Sequence, residues 1–169
     1  MPPFERPHHQ RIAWVLDSVD GGLLRSDRCW FGRGTAIALT HGKYRESIDI
    51  DFLVSDQAGY RDLGHRLVGA RDLGPITLPA RAPAALEREV RADQYGIRMF
   101  VAVGDVPVKL EIVHEGRIAL DVPGRNDRVG GIATLSRVDT LCRRSIPGRP
   151  RLNVSDTIPV APQVPDSIK

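Results

Sequence analysis

The segment IDIDFLV sets two aspartates, Asp49 and Asp51, one residue apart in a run of Ile, Phe, Leu and Val. Side chains alternate across a strand, so Ile48, Ile50, Phe52 and Val54 share one face and Asp49, Asp51 and Leu53 share the other. The two aspartate Cα atoms are then roughly 6–7 Å apart, two strand rises. Unpaired carboxylates at that spacing repel each other and raise a pKa. A bound cation removes that penalty, and hard divalent ions such as Mg2+ combine one or two protein carboxylates with substrate phosphates. The bland alternative is an edge strand with a solvated polar face.

Two more segments favour the cation. Gly32 and Gly34 bracket Arg33 and are followed by Thr35 and an Ala-rich stretch with helical character. A glycine turn at a helix N-terminus presents N–H groups and the positive dipole end to an anion, and Thr35 adds a hydroxyl donor. In VPVKLEIVH, Val106, Val108, Leu110 and Ile112 form one face, while Lys109 and Glu111 point to the other. A third carboxylate in the middle of an apolar strand repeats the first anomaly, although a Lys–Glu surface pair would also explain it. Three carboxylates on neighbouring strands beside a phosphate-type turn make a metal–triphosphate site, the arrangement that phosphoryl and nucleotidyl transfer requires.

The elements that must carry these residues alternate between periods. Ile12, Val15, Leu16 and Val19 predict a helix over residues 9–19. Residues 29–31 predict a strand, residues 32–39 a turn and helix, and residues 48–54 a strand. Ser55 is the expected cap of a helix over residues 56–69, with Tyr60, Leu63 and Leu67 on one face. Residues 71–88 are rich in Pro and Ala and carry no clear signal. Residues 97–103 and 106–114 flank Gly104-Asp105 and predict a hairpin. The fold class is α/β (α+β), a small mixed sheet with flanking helices.

After about Leu141 the texture changes to RRSIPGRPRLNVSDTIPVAPQVPDSIK, with prolines at 147, 150, 159, 162 and 165 and no sustained period. The expected organisation is a core over residues 1–140 and a disordered Pro/Arg-rich tail over residues 141–169. The net charge of +3 permits an RNA or nucleotide partner without requiring one. Arg137, Arg143, Arg144, Arg149 and Arg151 concentrate the excess beside a single acid, Asp139. No apolar run reaches membrane-spanning length, and MPPFERPHHQ lacks the core of a signal peptide. Cys29 and Cys142 have no metal-type spacing, which fits a reduced, cytoplasmic setting. His8, His9, His41 and His65 show no ligand spacing, and His114 lies on the strand face opposite Glu111.

FGRGTAIALTHGKYRESIDIDFLV and VKLEIVHEGRI resemble the AbiEii-type nucleotidyltransferase toxins, within the DNA polymerase beta-like nucleotidyltransferase superfamily. Those read GGTAL, then R-x-S-x-DIDF, then K-x-E-I, and the resemblance covers roughly residues 10–140. It implies a nucleotidyltransferase fold and transfer of NMP from an NTP to an RNA, tRNA included, or to a protein hydroxyl. It also implies Mg2+ or Mn2+ as cofactor and a cognate antitoxin as partner. Carried over by residue, Asp49, Asp51 and Glu111 are the metal-binding and catalytic carboxylates. Gly34 and Thr35 hold the nucleotide phosphates, Arg45 and Ser47 touch the triphosphate or support the loop, and Lys109 neutralises phosphate charge. Arg98 is a weaker candidate of the same kind, with surface solvation the preferred reading.

Two departures stand out. Arg33-Gly34 replaces the family's Gly-Gly, setting a side chain where backbone approaches phosphate most closely. The family's helical continuation is replaced from about residue 141 by CRRSIPGRPRLN, as a reading-frame slip would produce. The alternatives are therefore a catalytically impaired, truncated remnant or a nucleotide- or RNA-binding module of the same fold. A metal-dependent nuclease using the same acids is a further rival, disfavoured because hydrolysis needs no triphosphate cradle.

Overall fold

In the computed structural model the described residues are 7–32, 34–36, 39, 49–81 and 85–136. Helix α1 spans Pro7–Ser18, with Pro7 at its first position, where the missing N–H costs nothing. Ile12, Val15 and Leu16 are buried along its length, with Val19 just beyond its end, as the spacing predicts. A short helix, α2 (Gly21–Ser26), escapes sequence reading because two of its six residues are glycine; Asp20 caps it by accepting the Gly22 and Leu23 N–H groups.

Strand β1 (Cys29–Gly32) leads into helical residues 34–36, and β2 (Ile50–Val54) follows. Helix α3 (Gln57–Ala70) is capped by Asp56, whose carboxylate accepts the Gly59 N–H at 2.8 Å. Ser55, the expected cap, instead receives the Leu120 N–H at 3.4 Å. The charged acceptor takes the position because it also answers the positive end of the helix dipole. A 3-10 turn, Gly74–Ile76, and β3 (Arg91–Ala92) precede the hairpin of β4 (Gly96–Val103) and β5 (Val106–His114). Gly104, at φ +62°, makes the two-residue turn there, where only glycine enters without strain. Strands β6 (Arg128–Val129) and β7 (Ile132–Ala133) form a separate antiparallel pair.

The main sheet has the order β1-β2-β5-β4-β3. Its pairs are antiparallel except β2–β5, which run parallel. A parallel pair needs a crossover, and α3 lies within the connection between the two strands.

The faces of the sheet differ. Ile50, Phe52, Val54, Ile97, Met99, Val101, Leu110 and Ile112 form one core with Ile12, Val15, Leu16, Leu63 and Leu67 from the helices. On the other face Trp30 and Leu53, register partners, join Ala133 and Leu135 in a small second cluster. The period-2 alternation in β2 and β5 thus assigns the apolar side chains to the thick core and the charged ones to the thinly covered face. That thinner face carries the candidate carboxylates Asp51 and Glu111.

The edges of the sheet are also covered. Glu87 donates its N–H to the Phe100 carbonyl and Ala102 to the Ala85 carbonyl, along the flank of β4. Leu135 donates to the Phe31 carbonyl on the flank of β1.

Candidate active site

Asp51 in β2 is the register partner of Glu111 in β5, of Gly32 on its other side in β1, and Glu111 is in turn the partner of Arg98 in β4. Neighbouring strands lie about 4.8 Å apart, so Asp51, Glu111 and Arg98 form one row across the sheet on the face away from the main core. Asp49 immediately precedes β2 and is half-buried, as is Asp51. The two carboxylate segments, far apart in the chain, are therefore brought together by the parallel β2–β5 pairing.

The Glu111 side chain is 12% exposed, more enclosed than the cations that hold it. Its Oε1 accepts from Arg98 Nε at 2.7 Å and its Oε2 from Lys109 Nζ at 2.9 Å. Burial pushes its pKa up, but the hydrogen bonds and charges of Lys109 and Arg98 outweigh burial and hold it below the ordinary carboxylate range. Lys109 is held above its ordinary value, first by its hydrogen bond to Glu111, with Asp49 and Asp51 adding their charges. The same ammonium is thus in the field of all three acids.

Arg98, favoured from sequence as a solvated surface residue, is part of this network. Its Nη1 donates to Asp93 Oδ2 at 2.8 Å. Asp93 Oδ1 accepts the N–H groups of Tyr95 and Gly96 at 2.7 and 3.1 Å, closing the turn into β4. The Tyr60 hydroxyl donates to the Asp93 carbonyl, and the Tyr60 ring stacks on His114 at 4.5 Å and 8°. Asp93 was not singled out by sequence, and Tyr60 only as part of the apolar face of the helix over residues 56–69. The signal for Arg98 was present: a two-residue turn pairs Val103 with Val106, and counting outward reaches Arg98 with Glu111.

Gly34 and Thr35 lie in the helical residues that follow β1. Thr35 is buried, and its hydroxyl donates to the Asp49 carbonyl, tying the glycine turn to the start of the carboxylate strand. Arg45, Ser47 and Arg33 lie outside the described residues, as do the Arg-rich segment and tail from residue 137 onward.

Two aspartates and a glutamate on one sheet face form an all-oxygen donor set, the type that Mg2+ and Mn2+ take, so the residues fit the expected ion in kind. As arranged, with Glu111 engaged by two cations, no group of three His, Cys, Asp or Glu side chains among the described residues converges closely enough to hold a metal. The cavity at the far ends of β2 and β5, about 320 Å³ and lined by Arg28, Ser55, Asp56 and Gly116–Ala119, is separate from the carboxylates.

The family model for the nucleotidyl transferase AbiEii toxin, of type IV toxin–antitoxin systems, matches residues 24–142. The chain therefore belongs to the AbiEii nucleotidyltransferase toxin family. A crystal structure of a proposed nucleotidyltransferase from H. pylori is similar at 18% identity and a TM-score of 0.48, covering 81% of this chain and 56% of that one. The chain thus spans little more than half the length of that neighbour. A comparison with curated proteins finds no match. Among the described residues no helix is long and apolar enough to cross a membrane.

Proposed function

We propose that this chain transfers a nucleotidyl group from an NTP to a hydroxyl acceptor, an RNA such as tRNA or a protein, with release of pyrophosphate. The observation that carries the reading is the register match of Asp51 with Glu111, with Asp49 beside them, on the sheet face away from the main core. Asp49 and Asp51 would hold Mg2+ or Mn2+, and Glu111 would complete the set. When bound, the ion supplies electrostatic stabilisation of the reacting phosphate and lowers the pKa of the attacking hydroxyl. Gly34 and Thr35, at the helical turn, would present N–H groups to the leaving phosphates. Lys109 and Arg98 bring positive charge to the side of the site where phosphate charge must be met. An antitoxin is the implied protein partner, and residues 141–169 are outside the catalytic unit.

The test is transfer from each of four labelled NTPs to total bacterial RNA and protein, with Mg2+, by wild type and Asp51→Asn. Label with wild type and none with the variant supports the reading. Folded protein that transfers nothing to either acceptor refutes it. One observation favours a second reading, a nucleotide- or RNA-binding module: both Glu111 oxygens already carry protein cations. That reading requires equal RNA and NTP binding by wild type and Asp51→Asn with no turnover in either.

A further inference from the structure

The two cations on Glu111 are held in different ways. Arg98 is tethered at both sides of its guanidinium, to Glu111 and to Asp93, and Asp93 is itself fixed by four further hydrogen bonds. Its planar fork is pre-organised for that geometry. Among the described residues Lys109 has no such second anchor. Its ammonium, on a flexible four-carbon stem, donates to Glu111 Oε2 and is 33% exposed. The acids acting on it are Glu111, Asp49 and Asp51, the three carboxylates of the site.

We propose that Lys109 is the exchangeable resting counter-ion of the carboxylate site: its ammonium takes the place of a divalent cation in the metal-free protein and swings away when that cation arrives, while Arg98 stays as the fixed brace of Glu111. This rests on the metal-dependent reading above. Three acids gathered on adjacent strand positions with no counter-charge would repel and protonate. The Lys109 ammonium offsets that charge, and among the described residues the acids do not converge on a common centre. A small divalent ion needs carboxylate oxygen at about 2.1 Å and is repelled by an ammonium on the same oxygen, so the two cannot share Glu111 Oε2. The displaced ammonium can then meet the nucleotide phosphates that enter with the metal. Lys109 thereby weakens binding of the metal alone and favours binding of metal and nucleotide together.

The test is Mn2+ binding to the full chain without nucleotide, read as free Mn2+ by electron paramagnetic resonance. Wild type, Lys109→Met, Lys109→Gln, Lys109→Arg, Arg98→Met and Asp51→Asn are compared after circular dichroism confirms folding. Removing the competing charge lowers the Mn2+ dissociation constant about tenfold in Lys109→Met, with Lys109→Gln as the substitute should that variant not fold. Lys109→Arg stays near wild type, and Arg98→Met, which removes equal charge but breaks the brace, tightens binding less or weakens it. Lys109→Met at wild-type affinity or weaker, with binding lost in Asp51→Asn, overturns the counter-ion role and leaves the metal reading standing. Binding by no variant, or equal binding by Asp51→Asn and wild type, overturns both.

Discussion

Gly59 and Gly69 lie in the same helix, α3, and the same substitution should move stability in opposite directions. An alanine Cβ at Gly59 would sit 2.2 Å from the Asp27 carbonyl oxygen, 2.9 Å from its carbon and 3.1 Å from its Cα. Those are backbone atoms, so no side-chain rotation relieves the contact, and either α3 or the Asp27–Arg28 turn must move by about 1 Å to restore van der Waals distance. That turn leads directly into β1, whose Gly32 is the register partner of Asp51. Overpacking of this kind costs about 1–3 kcal/mol, and the rigid neighbour argues for the upper end. Alanine returns at most about 1 kcal/mol in helix propensity. The net expectation for Gly59→Ala is a loss of about 2 kcal/mol. At Gly69 nothing lies within 4 Å of the added Cβ, so Gly69→Ala keeps the propensity gain, about 0.5–1 kcal/mol. Urea unfolding followed by tryptophan fluorescence suits the measurement, because Trp30 is 2% exposed and reports loss of the second face directly. Shared slopes across the three proteins are required for the midpoints to be read as stability. A Gly59→Ala midpoint at or above that of wild type refutes the close approach of α3 to the Asp27 turn.

Removing the Tyr60 hydroxyl in Tyr60→Phe deletes its bond to the Asp93 carbonyl but keeps the ring on His114, so urea unfolding should show a loss of about 0.5–1.5 kcal/mol. The Glu111 pKa is lower folded than unfolded, so the unfolded chain binds more protons in that window. The stabilisation is therefore present above the unfolded value and is lost as pH falls through the folded one; acid titration of the melting temperature should show this slope in wild type and a flatter one in Glu111→Gln. Burial pushes the Cys29 thiol far up, and it is 1% exposed, so in a Cys142→Ser protein a thiol reagent should label Cys29 only at the rate of unfolding. Fast labelling of the native protein would contradict the packing of β1.

How much of this was readable from sequence depended on how local the determinant is. The buried stripe of α1, the alternation in β2 and β5, and the Gly104-Asp105 turn are local patterns, and each predicts its element to within a few residues. That the carboxylate strands are neighbours followed from the need to share one ion, and the β2–β5 pairing agrees. Arg98 is different. Its hydropathy resembles that of any exposed strand residue, and only the hairpin register sets it against Glu111, with Asp93 as anchor. The choice of Asp56 over Ser55 as cap turned on a one-residue difference in where α3 begins, which periodicity does not resolve. Helix α2 and the β6–β7 pair are too short to leave a period, and owe their existence to contacts with β1 and with each other.

The order of strands in the sheet has a consequence for synthesis. Of the five, β5 is the last to be made, yet it sits at the centre, between β2 and β4. Ribosomes add about 5–20 residues per second, so Asp51 exists for several seconds before Glu111 and Lys109 do. Until β5 arrives, β1 and β2 form only a two-stranded ribbon, which is marginal alone in water. The acids of the site are then on a surface that has no fixed shape. Under the proposed function, the nascent polypeptide carries two of the carboxylates but not the strand that completes them, and the site closes only after that strand is inserted.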